Sequence, residues 1–417
     1  MSTPTRATDA VRRSLTALDA HEAAVRAFTV VDADRALDAA RALDDGPTRP
    51  LRGVVLAVKD VFDTAELPTA YGSPIYAGFR PRADAAAVAD LLAGGAVCLG
   101  KTVTTEFALV TPGPTTNPRR STHTPGGSSM GSAASVAAGM ADLALGSQTS
   151  GSVIRPASFC GVFGFKPSFG TVSTAGMKQL AGTFDTVGWF ARDVETIDSA
   201  RVVLTNRPRF EPIGSPPRIA LARTHDFHLA DDDCRRAIEQ AADLARHAGA
   251  LVDDRELPDA FLELGRSHTR MMVYEAAHAL AWERHRHGPL LSDQLRGILD
   301  RGDEIGPDEY DEDCRRVGRA RTNVDAVFGA ADVLMTPAAP GEAPQGLART
   351  GDPRFARVWT ALGWPALSVP GLHGATGLPI GIQVVGRPRA DATVLAVGAW
   401  LADLLAASGP DVAAVSA

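Results

Sequence analysis

The chain has 417 residues, long enough for one large α/β unit or two ordinary domains and for a substantial core. Its 42 basic and 49 acidic residues are spread along the chain with a net charge of -7, which leaves no basic stripe to grip a phosphate backbone and argues against nucleic acid as a direct ligand. The opening MSTPTRATDAVRRSLTALDA lacks the apolar segment of a secretory signal, and no run reaches the roughly 18 uncharged apolar residues of a membrane span, so a soluble, cytoplasmic protein is expected.

Residues 8 to 45 place apolar side chains at helical spacing (Val11, Leu15, Leu18, then Ala36, Leu37, Ala40, Leu43), interrupted by a β-prone stretch from Phe28 to Val31. LRGVVLAVKD is a fully apolar run that predicts a buried strand delivering Lys59 and Asp60 to its end. ADAAAVADLLAGGAVCLGKT predicts a helix, a glycine stop and a second buried strand, a unit typical of a sheet covered on both faces. Residues 111 to 128 are irregular until SSMGSAASVAAGM, whose small residues allow a closely packed helix, and ADLALGS predicts another short strand.

From about 205 to 330 the texture is helical and charged, as in an insertion or cover. Buried-strand texture returns in ADVLMTPAAP, PALSVPG and GLPIGIQVVG, and DATVLAVGAWLADLL predicts a closing helix. Strands on both sides of the helical block predict one sheet completed by both ends of the chain, hence a single domain over 1–417, its core about 25–405 and its helical cover about 205–330.

Few residues are candidates for chemistry. Cys98, Cys160, Cys234 and Cys314 are far apart without a CxxC pair, which favours buried thiols over disulfides or zinc. His285 and His287 stand at i and i+2 on a helix, so they do not face one another as metal ligands. Lys59 at the end of an apolar strand, the pair Ser128 and Ser129 in PGGSSMGSA, and Ser152 in GSQTSGSVIRP remain. Gly127 to Gly131 also fits the G-x-S-x-G elbow, with Ser129 as nucleophile and His373 as the last histidine, but NPRRSTHTPG before it is a poor strand.

Taken together, LAVKD, PGGSS-x-GSA, a TxGS stretch and RPASFCGVFGFKPS, followed by DVLMTPAAP, GWPALSVPG and GLPIGIQVVGRP, resemble the amidase signature family of serine hydrolases over roughly residues 25 to 405. The resemblance implies an α/β/α sandwich around a large mixed β-sheet and a Ser-Ser-Lys triad: Ser152 as nucleophile, Ser128 as bridging serine after a cis peptide bond, Lys59 as general base. It further implies an oxyanion hole from the backbone N–H groups of Thr149, Ser150, Gly151 and Ser152, and neither metal nor organic cofactor. Gln148 and Arg155 are candidates for bracing this loop or Ser129.

The chemistry fits these residue types. A serine hydroxyl needs a base, and an unperturbed lysine is neutral in only about one molecule in 2500 at pH 7, so burial must lower its pKa. Strand alternation turns Asp60 away from Lys59. The chain departs from the common D-x-GGS pattern at Gln148 and Ser150; QTGGSVIRP is a recognisable variant of the first, whereas a serine at position 150 costs about 1 to 2 kcal/mol if the backbone there needs positive φ.

The expected reaction is hydrolysis of a small-molecule carboxamide, its pocket built from residues 111 to 125, 205 to 330 and 338 to 360. Acyl transfer to an amine or ester hydrolysis would use the same triad. The A-subunit of tRNA-dependent amidotransferases also belongs to the family, although such subunits tend to read GGSIRQPA where this chain reads GSVIRPA, and a non-catalytic scaffold is the remaining alternative. Neither nucleic acid nor membrane is an expected partner; a homodimer is compatible with the sequence.

Overall fold

The computed structural model describes residues 6–408. After a first helix, Ala7–Val25, strand β1 (Phe28–Val31) and a helix Ala33–Asp44 bear out the interrupted helical pattern. The strands that follow are β2 (Val55–Lys59), β3 (Val97–Thr102), β4 (Leu143–Gln148), β5 (Phe163–Lys166) and β6 (Thr186–Ala191). They continue with β7 (Arg218–Ala222), β8 (Leu251–Arg255), β9 (Val333–Pro337), β10 (Ala366–His373) and β11 (Pro379–Gly386).

All eleven lie in one mixed sheet, ordered β1-β3-β2-β4-β6-β5-β10-β11-β9-β7-β8. The pairs β2/β3, β2/β4, β7/β8 and β7/β9 are parallel, and the remaining neighbours are antiparallel. The hairpin β10/β11 sits between β5 and β9, so strands from both ends of the sequence complete the sheet as expected. Helices cover both faces, giving the α/β/α sandwich.

The two faces differ in the size of what they bury. Leu56, Val58, Leu143, Leu145, Ile219 and Leu221 point to one face, against the helices Ala86–Ala93, Val194–Thr205, Asp232–His247 and Asp391–Ser408. Their strand neighbours Ala57, Ala144 and Ala220 point to the other. The helix Met130–Ala137 packs on that second face with a sequence of small residues, MGSAASVA, and approaches closely: a Cβ on Gly131 would stand 2.2 Å from Ala27 O and 2.5 Å from Val103 N.

The segment 205–330 is not helical throughout. RIALA and LVDDR form β7 and β8 within the sheet, a correction to the expected cover. β8 is an edge strand, largely exposed, and its Asp253 and Asp254 suit an edge that faces water but erase the apolar run by which a strand is recognised. Among the described residues no helix is long and apolar enough to cross a membrane.

Candidate active site

Lys59 is the last residue of β2 and shares the face of Ala57, the face on which the small-residue helix Met130–Ala137 packs. It is fully buried. Its Nζ lies 2.8 Å from Ser128 Oγ and 2.8 Å from Ser147 Oγ, within hydrogen-bond reach of both hydroxyls. Burial among neutral groups pushes its pKa well below that of an ordinary amine, and the charge of Asp185 opposes part of that shift. Asp60 turns the other way and pairs with Lys101 at 3.1 Å, as strand alternation predicts.

Ser128 follows a cis Gly127–Ser128 peptide bond and is 2% exposed, whereas Ser152 is 7% exposed and closer to solvent. Among the described residues no hydrogen bond joins the hydroxyl of Ser152 to Ser128 or to any other side chain. The N–H groups of Thr149, Ser150, Gly151 and Ser152 likewise have no acceptor among the described residues. Four consecutive unpaired donors are uncommon in a buried loop, where nearly all backbone N–H groups are paired. Gly151 cannot carry a side chain, because a Cβ there would stand 2.8 Å from Pro353 Cβ.

The residues around this loop hold it from outside. Gln148 Oε1 accepts from Val153 N at 2.8 Å and Ile154 N at 3.0 Å, so Gln148 ties the far side of the turn to the end of β4. Arg155 is buried, which lowers its pKa to about 10, and it donates to the carbonyls of Gly127 at 2.5 Å and Gly351 at 2.8 Å. Both therefore brace the loops that carry the serines. Ser129 does not face Lys59: its hydroxyl exchanges 3.3 Å hydrogen bonds with the backbone of Ser147 and fastens the small-residue helix to β4. No strand precedes it, and His373 ends β10, so the elbow arrangement is absent from this region.

Ser150 does not adopt positive φ, so the backbone penalty considered for that position does not arise; its hydroxyl is buried without a hydrogen-bond partner among the described residues. Four polar residues at the site carry no motif of their own. Ser147 receives the second Lys59 hydrogen bond. Asp185, whose pKa burial raises to about 6, accepts from the Thr149 hydroxyl at 2.6 Å and from the N–H groups of Leu180 and Ala181. His268 Nε2 lies 2.7 Å from Thr149 O, and Thr360 Oγ1 donates to Ser150 O at 2.6 Å.

Asp185 also lines a cavity of about 440 Å³ with Phe169, Val172, Thr174, Met177 and Gln179, a segment outside those expected to shape the pocket. From the expected segments, Thr350 and Pro353 lie over Gly127 and Gly151, and His268 reaches in from the helix Leu264–Ala279. Within residues 111–125, Asn117 donates to the carbonyls of Thr124 and Phe159. A larger cavity of about 920 Å³, with Arg119, Arg192 and His373 in its wall, includes no residue of the Lys59 cluster.

A family model described as Amidase matches residues 9–395. The chain belongs to the amidase family. Among relatives, the A-subunit of glutamyl-tRNA(Gln) amidotransferase from Anaeromyxobacter sp. (strain K) is 35% identical, covering 92% of this chain and 90% of its own. An inhibitor-bound chain from a vestigial protein complex, described as revealing the origins of an s-triazine catabolic enzyme, superposes with a TM-score of 0.88 at 28% identity, covering 96% of this chain and 95% of its own. The native peptide amidase of Stenotrophomonas maltophilia gives a TM-score of 0.80 at 27% identity, covering 95% and 93%. The fold and the family implied by the sequence motifs are thereby shown.

Proposed function

We propose that this member of the amidase family hydrolyses the C–N bond of a small carboxamide through an acyl-Ser152 intermediate, with Lys59 as base and Ser128 as the link between them. The observation that carries this reading is a fully buried lysine, held within 2.8 Å of Ser128 and given a lowered pKa by burial, in a chain whose N–H groups from Thr149 to Ser152 are left unpaired. In the neutral amine the Nζ lone pair turns to Ser128, whose hydroxyl then donates to it, while one amine hydrogen stays on Ser147. As Ser152 attacks the carbonyl carbon, its proton passes to Ser128 and the proton of Ser128 to Lys59.

The negative oxygen of the tetrahedral intermediate accepts from N–H groups among residues 149 to 152, such a donor being typically worth about 3 to 4 kcal/mol to the transition state. The proton returns through Ser128 to the departing nitrogen, which leaves as ammonia or an amine. Water, activated by the same relay, then releases the carboxylate. An amine in place of water would give acyl transfer, and an ester would be attacked in the same way.

A second reading, a polypeptide that acts only within an amidotransferase complex, is favoured by one observation, the 35% identity to the A-subunit of such an enzyme. Both are tested on the isolated chain with a fluorophosphonate probe, adduct mapping and a panel of amides. The hydrolase reading expects label on Ser152, lost in Ser152→Ala and strongly slowed in Lys59→Ala, together with ammonia release. Label on Ser152 without ammonia release from any amide would favour the complex-dependent reading, and no label would overturn the triad.

A further inference from the structure

His268 and Thr360 come from two helices, Leu264–Ala279 and Arg354–Leu362, that lie 119 and 210 residues from the loop they touch. They grip successive carbonyls. His268 Nε2–H donates to Thr149 O at 2.7 Å, and Thr360 Oγ1 donates to Ser150 O at 2.6 Å. The same Thr360 oxygen accepts from Gln148 Nε2 at 2.9 Å, and its longer 3.0 Å approach to Ala356 O leaves its single proton on Ser150 O. In a trans peptide the C=O of one residue and the N–H of the next point in opposite directions. Pinning Thr149 O and Ser150 O on the outside therefore aims the N–H groups of Ser150 and Gly151 to the inside, and these are two of the four donors left unpaired among the described residues.

We propose that His268 and Thr360 are positioning residues for the oxyanion donors, each setting the orientation of one peptide plane beside Ser152. The inference rests on the reading of Ser152 as nucleophile. The histidine ring supports it by what it lacks. His268 is fully buried and packs against Phe184 with ring centroids 4.3 Å apart and planes tilted by 34°, yet its Nδ1 has no hydrogen-bond partner among the described residues. A phenylalanine would make the same ring contact without burying a bare nitrogen, so the feature of histidine that this position uses is the Nε2–H donor to Thr149. Burial also holds the ring neutral, with its pKa down to about 3, so the donor persists across the working pH range while proton transfer by the ring does not occur there.

The test compares His268→Phe and Thr360→Val, in the full chain, with the conservative variants His268→Gln and Thr360→Ser, each of which can still donate to its carbonyl. The assays are turnover of an amide that the wild type hydrolyses and inhibition by the aldehyde of the same acyl group, whose adduct places an oxygen in the oxyanion position. For Phe and Val the expected result is a roughly tenfold to hundredfold fall in kcat, a KM within about twofold, and an aldehyde inhibition constant raised by the same factor as kcat falls. Gln and Ser recover most of the loss, and all four melt within a few degrees of the wild type. Unchanged kcat in both Phe and Val variants, or losses that follow the melting temperature and are not recovered by Gln and Ser, would overturn the proposal while leaving Ser152 as nucleophile. A wild type with neither turnover nor Ser152 labelling would remove that underlying reading and the inference with it.

Discussion

Asp185 faces two demands at once. Its carboxylate holds the Thr149 hydroxyl and two backbone N–H groups, and its negative charge favours the ammonium form of Lys59, while burial favours the neutral amine more strongly. Removing the charge must therefore lower the lysine pKa further. In Asp185→Asn the acid limb of Ser152 acylation against pH is expected to move to lower pH; a limb that stays in place or moves upward would contradict the electrostatic coupling. The meeting of Lys59 with Ser128 and the outward turn of Asp60 were legible from the family motifs and strand alternation. Ser147, Asp185, His268 and Thr360 were not, because each is ordinary in its own stretch and gains its place only by contacts spanning 88, 36, 119 and 210 residues. Ser150 was legible as unusual, but only the backbone shows that its φ is unremarkable and that the peculiarity lies in an unpaired hydroxyl.

At the scale of elements, the small-residue helix Met130–Ala137 governs how closely Ser128 can be brought to Lys59. Gly131 N donates to Val103 O at 3.0 Å, and the absence of a side chain at Gly131 lets the helix rest on the backbone beyond β1 and β3. Gly131→Ala would place a methyl 2.2 Å from Ala27 O, which cannot yield as a side chain can. The expected cost is about 1 to 3 kcal/mol of stability, read as a lowered thermal midpoint, with Ser152 labelling slowed because Ser128 stands two residues before the helix. A fully stable, fully reactive variant would show that the helix has room to move. The close packing was foreseeable from MGSAASVA, whereas β7 and β8 were not: RIALA is too short to stand out among helices, and LVDDR is polar because it closes an edge.

For the molecule as a whole, three buried lysines dominate the linkage between pH and stability near neutrality. Lys59, Lys101 and Lys166 all have pKa values lowered chiefly by burial, that of Lys166 to about 7. Between pH 7 and the ordinary lysine range the unfolded chain binds more protons at these sites than the folded one, so stability rises with pH. Burial acts oppositely on thiols: Cys160 and Cys234 are raised to about 12, and the unfolded thiols ionise from about pH 8.5, which reverses the trend. The thermal midpoint is thus expected to increase from pH 7 to about 8.5 and then to level or fall; a midpoint that declines through the first interval would show that these amines stay charged in the fold.

The place of the β10/β11 hairpin has a consequence for how the protein comes into being. On the ribosome β5 and β9 emerge well before residues 366 to 386, and until those residues are made each presents the edge that the hairpin will occupy. The incomplete chain therefore carries two adhesive edges during synthesis, and the late hairpin acts as a keystone joining the two flanks. A nascent chain halted before residue 366 is a candidate client for chaperones, while completion of the hairpin removes both edges in one step.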